Sequence, residues 1–449
     1  MQPLAQLILP EVRSLLERGD VEELRDTLEH LHPADIANLI EQVDDEPART
    51  LFLACSLDQR VDIFEHLEEN QQERMLGIIG AKGIIPIVEE MASDDRADFL
   101  QSLPKKLADA LVQELSQAEQ RDVAALVKYP EKTAGAIMTS EVATVPVDTT
   151  VADALAHLRK VAPHREMIYY IYVTDQHGHL LGVLSLKDLV LAEPGADVKE
   201  IMKPDVISLP VDTDQEIVAN ELARYDFLAM PILDERGRIV GIVTHDDVID
   251  VFEEETTEDA HMMGAVAPLE ETYIHARFWE VFRKRGLWLT LLFFAMMFSG
   301  TALRHYEDMV VAVPALVIFI PLIISTGGNA GSQSATLVIR ALAVGDVELR
   351  DWAQVMWREF RTGISLGVLM GLVGVARALL WNTSGGVALV VGFTLVGIVL
   401  WGAVVGGLLP LGLRRVGLDP AIASSPFVAS VVDVSGIIFY FSIAQIIAL

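Results

Sequence analysis

The C-terminal third of the chain consists mainly of long apolar runs. Between Gly286 and Leu449 five segments are apolar enough to predict membrane-spanning helices, each of which needs about 20 such residues. We place them at about residues 287–303, 310–325, 363–381, 386–413 and 421–449. The second segment is short and runs into the polar sequence STGGNAGSQSATL, residues 325–337, so the pattern predicts a broken span rather than a continuous one.

Residues 1–130 show a different pattern, in which apolar residues recur at three- and four-residue spacing between polar positions. The stretches LHPADIANLIEQV (31–43) and VDIFEHLEENQQERMLGII (61–79) are examples. This spacing is typical of one face of an α-helix. It predicts a series of short amphipathic helices that stack into a superhelical array of either hand.

Residues 135–252 contain an internal repeat. The stretch IMTSEVATVPVDTTVADAL (137–155) returns as IMKPDVISLPVDTDQEIVA (201–219), and GVLSLKDLV (182–190) returns as GIVTHDDVI (241–249). Each copy predicts an amphipathic helix, two short strands and a second helix, which together form an α/β unit. The repeat resembles a tandem CBS-domain pair.

Each copy of the repeat ends in the pattern G-x-x-[ST]-x-x-D. The end of a strand exposes backbone groups, and an aspartate there can accept hydrogen bonds from ribose hydroxyls. CBS pairs often bind adenosine nucleotides, so the resemblance makes Asp188 our candidate for contact with ATP or another adenosine nucleotide, ahead of Asp247. The alternative is that each aspartate caps the helix that follows it.

These patterns predict a multidomain membrane protein with four parts. They are an α-helical superhelical N domain at 1–130, an α/β tandem CBS pair at 131–252, a connecting, plug-like helix at 253–280 and an all-α five-span transmembrane domain at 281–449. The connecting segment is acidic at its start and apolar at its end. A helix there would run from the repeat towards the first span.

Charge and apolar character lie in different parts of the chain. The 64 acidic and 34 basic residues give a formal charge of −30, although 51% of all residues are hydrophobic. Eight acids and eight arginines follow Gly286, which leaves 56 acids and 26 bases in residues 1–285. This acidic half would repel a nucleic acid and attract divalent cations. The single cysteine, Cys55, excludes an internal disulfide and fits a reducing cytosol.

The basic residues near the spans orient the chain in the membrane. Nine of them fall on one side of the five predicted spans: Arg283, Lys284, Arg285, Arg340, Arg350, Arg358, Arg361, Arg414 and Arg415. Basic residues favour cytoplasmic loops. We therefore expect a multi-pass protein of the cell (inner) membrane, with its N-terminal domains in the cytoplasm and its C-terminus outside.

The last span, SSPFVASVVDVSGIIFYF (424–441), contains a carboxylate, Asp433, which we count as the only one in the spans proper. A carboxylate at membrane depth is costly unless something compensates it. One carboxylate is too few for a dehydrated calcium cage, whereas Mg²⁺ keeps much of its water and needs only one or two. Two chains around a shared axis would bring two copies to one ion. The alternative is an ion pair with Arg377.

The polar stretch 325–337 combines glycines, an amide and hydroxyls at membrane depth. Irregular backbone is tolerated there only where it is buried in protein or lines a water-filled path. We therefore interpret this stretch as a pore-lining break. The alternative is a patch where small residues let two helices pack closely.

Three segments carry a resemblance to a known family: GGNAGSQSATLVIRAL (327–342), DPAIASSPFVASVVDVSG (419–436) and EEETTEDAHMMGAV (253–266). Together with the order of the domains, they resemble the MgtE family of magnesium transporters over essentially the full chain. The resemblance implies a homodimeric Mg²⁺ channel that is gated by Mg²⁺ and lined by the second and fifth spans. Lipid, a second copy of the chain and divalent cations are then the expected partners.

The same resemblance gives Asp433 the position of the pore carboxylate. It also predicts five residues along the pore: Gly327, Gly328, Asn329, Ser425 and Pro426. The chain departs from some family members at Ser425, where they carry an asparagine near the ion path.

The acidic half could sense the same ion. Mg²⁺ that bridges acidic surfaces would remove their repulsion and favour a compact closed state, and loss of Mg²⁺ would release the pore. We take the clustered carboxylates as candidate regulatory ligands: Asp94, Asp95, Asp214, Glu216, Asp226, Asp246, Asp247, Asp250, Glu258 and Asp259. The alternative is a solvated acidic face.

Other functions fit the sequence less well. A channel or carrier for Co²⁺, Mn²⁺ or Ni²⁺ stays open as an alternative, although spans without cysteine and with His305 as their one histidine do not favour softer metals. A CBS-regulated anion channel would need cationic sites in the spans. An enzyme would need a nucleophile–base pair or a closed metal site, and we find neither, so we expect no enzymatic activity.

Overall fold

The computed structural model describes residues 3–162, 167–269, 273–274 and 276–447. The chain divides into two compact units, residues 1–252 and 253–449. The first unit contains the predicted helical domain and the repeat. The second contains the predicted spans.

Short helices make up the N-terminal part of the first unit. They are α1 Pro3–Arg18, α2 Val21–Glu29, α3 Pro33–Glu41, α4 Asp45–Ala54, α5 Leu57–Glu65, α6 Glu69–Ile79, α7 Ala81–Glu90, α8 Ser93–Ser102, α9 Lys105–Glu114 and α10 Gln117–Leu126. Polar residues start several of them: Ser56 and Gln59 form a capping box on α5, and Ser116 caps α10. Such caps satisfy backbone N–H groups that the first turn leaves unpaired.

These helices form two rows. The odd-numbered helices α1, α3, α5, α7 and α9 contact one another in succession, and so do the even-numbered helices from α2 to α10. Their apolar faces enclose one continuous core that extends from Val12 to Val123. This two-row stack confirms the predicted superhelical domain.

The repeat folds twice into the same unit. The elements are β1 Thr144–Pro146, α11 Val151–Val161, β2 Tyr170–Thr174, β3 Leu180–Ser185, α12 Leu186–Leu191, α13 Val198–Ile201, β4 Leu209–Pro210, α14 Gln215–Arg224, β5 Ala229–Leu233 and β6 Ile239–Thr244. In each sheet the first strand pairs parallel to the second, and the second pairs antiparallel to the third. Both hairpins carry a register shift at the corresponding position, Val173/Thr174 and Ile232/Leu233.

The two copies exchange their leading segments, which explains the glycine of the repeated pattern. Thr139 pairs with Ile242 of the second copy, and Lys203 pairs with Val183 of the first. A Cβ at Gly241 would lie 2.7 Å from the carbonyl oxygen of Thr139. The equivalent distance at Gly182, to the carbonyl oxygen of Lys203, is 3.0 Å. Each glycine therefore has room only for a hydrogen atom where the other copy's backbone crosses.

A single helix, α15 His245–Met263, follows the last strand of the repeat. The predicted connecting helix at 253–280 was therefore placed too late, because the helix begins within the second copy and ends at Met263. Residues 264–269 are not helical, and residues 270–272 and 275 of that prediction lie outside the described residues. The next helix begins at Phe278.

Five helices of the second unit are long and apolar enough to cross a membrane, which confirms the predicted number. The unit consists of α16 Phe278–His305, the short α17 Glu307–Ala312, α18 Ile320–Ala343, α19 Trp352–Leu380, α20 Gly385–Arg415 and α21 Ser425–Ile447. Several begin earlier than the apolar pattern alone suggests. The third candidate span starts at Leu349 rather than near residue 363, because its first turns are polar.

The second span is not broken within residues 325–337. α18 is one continuous helix of 24 residues, and the irregular part is a 3₁₀ segment, Pro314–Phe319, that precedes it. The expected break is thus wrong, since small polar residues are compatible with a helix where neighbouring helices pack against them.

Glycines bring α18 and α20 into backbone contact. A Cβ at Gly406 would collide with the carbonyl oxygen of Gly331, and a Cβ at Gly402 would lie 3.2 Å from the amide nitrogen of Gly331. Small residues allow this approach between membrane helices, where packing rather than the hydrophobic effect holds helices together. Part of residues 325–337 therefore serves close helix packing, which we had considered as the alternative to a pore-lining break.

We predict that Gly406→Val destabilises the membrane unit, because the new side chain must push α18 and α20 apart. Overpacking of this kind lowers the thermal midpoint by roughly 5 °C or more. Gly412→Val is the matched control, since Gly412 lies on the same helix with open space around it. The thermal midpoint of each detergent-solubilised variant is measured by heating samples and determining the remaining folded protein by size-exclusion chromatography. Equal midpoints for the two variants would contradict the packing.

Candidate cation site and acidic surfaces

Asp433 lies on α21 against α18. It is eight residues from the start of α21, about 12 Å along the helix axis. Gly328 of α18 faces it, and a Cβ at Gly328 would lie 3.6 Å from Asp433 Oδ1 and 3.3 Å from the side chain of Ala429. The carboxylate is half-buried at a depth where the lipid supplies no polar group.

No hydrogen-bond donor or cationic side chain of the described residues pairs with Asp433. The predicted alternative partner, Arg377, stacks on the ring of Trp381 instead, with its guanidinium carbon 4.0 Å from the ring centroid. The ion pair that we weighed against a cation site is therefore not formed within the described part of the chain.

The other residues predicted along the pore fall into two groups. Gly327 and Gly328 are buried, and a Cβ at Gly327 would meet Ile398 of α20 and Val432 of α21, whereas Asn329 is exposed. Ser425 contributes its carbonyl oxygen, which accepts a hydrogen bond of 3.2 Å from the hydroxyl of Ser332.

Pro426 also acts through its backbone. Its carbonyl oxygen accepts a hydrogen bond of 2.9 Å from Ser430 Oγ, one turn further along α21. Our sequence analysis did not single out Ser332, whose hydroxyl ties α18 to the start of α21.

Further carboxylates lie within the candidate spans, contrary to our count, and one of them, Glu359, is buried. Glu359 belongs to α19, is 9% exposed and accepts a hydrogen bond of 2.7 Å from the hydroxyl of Ser334. It precedes Gly363, Gly367 and Gly371 at four-residue spacing, so all four residues share one helix face. This spacing was visible in the sequence and would have indicated that Glu359 faces a helix.

Carboxylates gather at the C-terminal part of α15. The pKa of Asp259 is raised to about 6 by burial and, to a smaller extent, by the negative charges of Asp419, Glu255 and Glu258, while Arg340 acts in the opposite direction. Asp419 also caps the short turn before α21 through a 2.7 Å hydrogen bond from the amide of Ala421. The structure thus places the predicted residue Asp259 near both Glu258 and Asp419, and our sequence analysis had not included Asp419.

Three more predicted residues lie in the first turns of α15. Thr244 donates two hydrogen bonds to Asp247 Oδ2, one of them from its backbone amide at 3.2 Å. Burial nevertheless raises the pKa of Asp247 to about 6, and the neighbouring charges of Asp246 and Asp250 act in the same direction. This arrangement includes the capping contact that we considered as the alternative role.

The remaining acidic candidates lie at helix ends of the first unit. Asp214 caps α14 by accepting a 2.9 Å hydrogen bond from the amide of Glu216, and Asp226 follows the same helix with a positive φ of 53°. Asp94, which is 6% exposed, and the exposed Asp95 lie in the first turn of α8.

The start of α8 touches the leading segment of the repeat. The hydroxyl of Ser93 lies 3.1 Å from that of Thr139 and accepts a 2.8 Å hydrogen bond from the amide of Ser140. Asp94 and Asp95 therefore lie directly beside the junction between the helical domain and the repeat. Among the described residues, no group of three carboxylates, histidines or cysteines is close enough to enclose a metal ion.

Asp188 forms a capping box with Ser185 on α12. The amide of Asp188 donates to Ser185 Oγ at 3.0 Å, and the amide of Ser185 donates to Asp188 Oδ2 at 3.3 Å. A hydrogen bond that the carboxylate of Asp188 accepts from the Ser185 hydroxyl contributes most to lowering the pKa of Asp188. Contact with a nucleotide stays a prediction beside this capping role.

Comparison with known protein families covers most of the chain. The family described as divalent cation transporter (MgtE) matches residues 320–443. The MgtE intracellular N domain matches residues 31–132, and the CBS domain matches residues 134–195 and 198–254.

Two relatives match over nearly their whole length. The magnesium transporter MgtE of Thermus thermophilus is 40% identical over 439 residues, which are 97% of each chain. The magnesium transporter MgtE of Bacillus subtilis is 32% identical over 430 residues, which are 96% of this chain and 95% of the relative.

Solved structures resemble the soluble part. One is the cytosolic domain of the Mg²⁺ channel MgtE in complex with ATP, which is 39% identical with a TM-score of 0.52 and covers 54% of this chain and 99% of that one. The soluble part of a magnesium transporter is 32% identical with a TM-score of 0.53 and covers 56% of this chain and 99% of that one.

The five candidate spans, joined to a CBS pair and matched by the divalent cation transporter family, define a multi-pass membrane transporter for divalent cations. The length and identity of the matches go further than this class. The chain belongs to the MgtE family of magnesium transporters.

We predict that Asp259→Asn stabilises the protein in metal-free buffer at about pH 7.5. The raised pKa means that ionisation of Asp259 destabilises the folded state as the pH rises from about 4 through about 6. The gain in thermal midpoint over wild type should therefore be smaller at pH 5 than at pH 7.5, and it should vanish only below about pH 4, where Asp259 holds a proton in the unfolded chain as well. Asp346→Asn, in an exposed loop, is the control. A gain in stability that is equal at both pH values would contradict this explanation.

Proposed function

We propose that the protein is a homodimeric Mg²⁺ channel that takes up magnesium and is closed by cytosolic Mg²⁺. The observation that carries the proposal is the half-buried carboxylate of Asp433, which has no partner among the described residues and faces Gly328. A charge at that depth needs compensation, and a permeating cation supplies it. The relatives from Thermus thermophilus and Bacillus subtilis, both named magnesium transporters, support this choice of ion.

The chemistry of the site supports a cation that keeps most of its water. Asp433 supplies a hard oxygen ligand, and the absence of a side chain at Gly328 leaves space beside it. Mg²⁺ loses its water reluctantly and is typically bound through one or two carboxylates. A second copy of the chain across a twofold axis would bring a second Asp433 to the same ion.

The orientation in the membrane follows from the arginines. α19 carries Arg358 and Arg361 near its start, and α20 ends at Arg414 and Arg415. Basic residues of this kind remain on the cytoplasmic side of the cell (inner) membrane. The soluble domains would then lie in the cytoplasm and the C-terminus outside.

Gating by Mg²⁺ would act through the acidic residues. In one group of carboxylates around Asp259 and another around Asp247, burial and then repulsion from neighbouring carboxylates within the group raise the pKa of the central residue. Mg²⁺ bound to such groups relieves this repulsion and so favours whichever state holds them close together. A fall in cytosolic Mg²⁺ would depopulate that state and open the channel.

The CBS pair would add an adenosine nucleotide as a further ligand. The solved relative that is 39% identical was crystallised as a complex with ATP. Asp188 lies just after β3, the last strand of the first copy of the repeat, and its Oδ2 accepts a hydrogen bond from the backbone amide of Ser185. In a complex with ATP this carboxylate would also accept hydrogen bonds from the ribose hydroxyls.

We predict that Asp433→Asn abolishes Mg²⁺ uptake in a strain that depends on it, because the amide no longer offsets the charge of the ion. Asp346→Asn is the matched control, since it removes a carboxylate of the same unit outside the spans. Uptake is measured for equal amounts of folded protein, with Co²⁺, Mn²⁺ and Ni²⁺ in parallel. Wild-type uptake by Asp433→Asn would overturn the proposed pore site, and a preference for another cation would replace Mg²⁺ as the substrate.

We predict that millimolar Mg²⁺ protects residues 1–270 of the full chain from limited proteolysis. The bridged state should expose fewer cleavable segments than the state in which the acidic groups repel one another. NaCl at equal ionic strength is the control for charge screening. Cleavage at the same rate with and without Mg²⁺ would contradict gating by bridging.

A further inference from the structure

Glu359 is a buried carboxylate of the membrane unit that the proposed ion path does not use. It lies on α19, whose glycine face packs against α20. Its Oε2 accepts the 2.7 Å hydrogen bond from Ser334 Oγ of α18. One side chain of α19 is thereby linked directly to the helix that carries Gly328 and Asn329.

The surroundings make room for this carboxylate. A Cβ at Gly407 of α20 would lie 2.7 Å from Glu359 Cγ and 3.0 Å from Ser334 Oγ. Even alanine at position 407 would therefore displace one of the two side chains. The hydroxyl of Ser334 also lies 2.9 Å from the carbonyl oxygen of Ala403, so three helices meet at this group.

Loss of the hydrogen bond between Ser334 and Glu359 would be costly in free energy. A buried carboxylate that loses its hydrogen bond leaves an uncompensated polar group in the protein interior. Ser334 has one hydroxyl hydrogen, which it shares between Glu359 Oε2 and the carbonyl oxygen of Ala403. A rotation or shift of α18 that moved Ser334 away would break both contacts together.

Ser334 is placed to control how α18 faces α21. Ser334, Gly331 and Gly327 follow one another at three- and four-residue spacing and share the face that packs on α20. Gly328 lies on the neighbouring face, opposite Asp433. Gly328 lies six residues before Ser334, about 9 Å along the same continuous helix. Fixing the position of Ser334 therefore also fixes where Gly328 lies relative to Asp433.

We propose that Glu359 is a positioning residue for ion conduction, which holds α18 in the rotation and height that place Gly328 beside Asp433. This inference rests on the proposed channel function and adds a residue that does not touch the ion. Its hydrogen bond to Ser334, in the space left by Gly407, is the feature that performs the positioning.

The test compares five variants of the full chain, one of them the double variant Glu359→Leu/Ser334→Ala, as purified, monodisperse protein in planar bilayers. Glu359→Leu and Ser334→Ala each remove the hydrogen bond from one side, and Glu359→Gln keeps a group that can bond to Ser334. Glu307→Leu is the control, because it makes the same chemical change at an exposed position. The measured quantity is Mg²⁺ current per folded channel, which a role in folding alone would leave unchanged.

We expect Glu359→Leu and Ser334→Ala each to lower the current per folded channel about fivefold, the effect of losing one ordinary hydrogen bond from the conducting arrangement. The double variant should conduct no less than the weaker single variant, since both remove one contact. Glu359→Gln should conduct like wild type.

Three results would overturn the positioning role. They are an unchanged current in Ser334→Ala, additive losses in the double variant, and a loss in Glu359→Gln as large as in Glu359→Leu. If Glu359→Leu does not fold, Ser334→Ala still decides, because it leaves Glu359 in place. Absence of current in wild type would instead refute the proposed channel function, so the two failures are distinguishable.

Discussion

The membrane unit depends on how a carboxylate is accommodated in an apolar environment. Two carboxylates of its long helices, Glu359 and Asp433, are treated in opposite ways. Glu359 is buried beside the hydroxyl of Ser334, in a space that Gly407 leaves open. Asp433 is half-buried and, among the described residues, has no hydrogen-bond donor. The first arrangement is satisfied within the protein, whereas the second would be satisfied by the cation that we propose, because an uncompensated charge at that depth is unstable.

Glycine makes both arrangements possible. At Gly331, Gly402 and Gly406 the absence of side chains lets the backbones of α18 and α20 touch, and α18 continues as one helix along this contact. At Gly328 the same absence leaves space between the helix and the carboxylate of Asp433. A residue with a Cβ would lose the helix contact in the first case and place a methyl group against Asp433 in the second. The glycine-rich stretch of α18 therefore serves packing on one face and the candidate cation site on the next.

The sequence predicted the features that depend on local pattern. Apolar runs indicated five spans, and the repeat indicated two copies of one α/β unit. The features that depend on distant contacts were missed. Polar glycine-rich residues suggested a break in the second span, but α20 packs against them and keeps α18 helical. Glu359 lay outside the third apolar run, because hydropathy counts a carboxylate as solvated even when a serine of another helix satisfies it.

The predicted site could be located only in part for the same reason. A lone carboxylate in an apolar span indicates Asp433 without any structure, because the cost of burial is a property of the residue and its depth. The acidic cluster around Asp259 is different, since Asp419 is 160 residues away in sequence and joins it only through folding. The acidic pattern of the connecting segment indicated Glu258 and Asp259, but it could not show that Asp419, in the loop before α21, lies near Asp259. Repulsion between these carboxylates remains in the folded chain until a cation or a proton neutralises it, and this cost is what makes the cluster suited to respond to an ion.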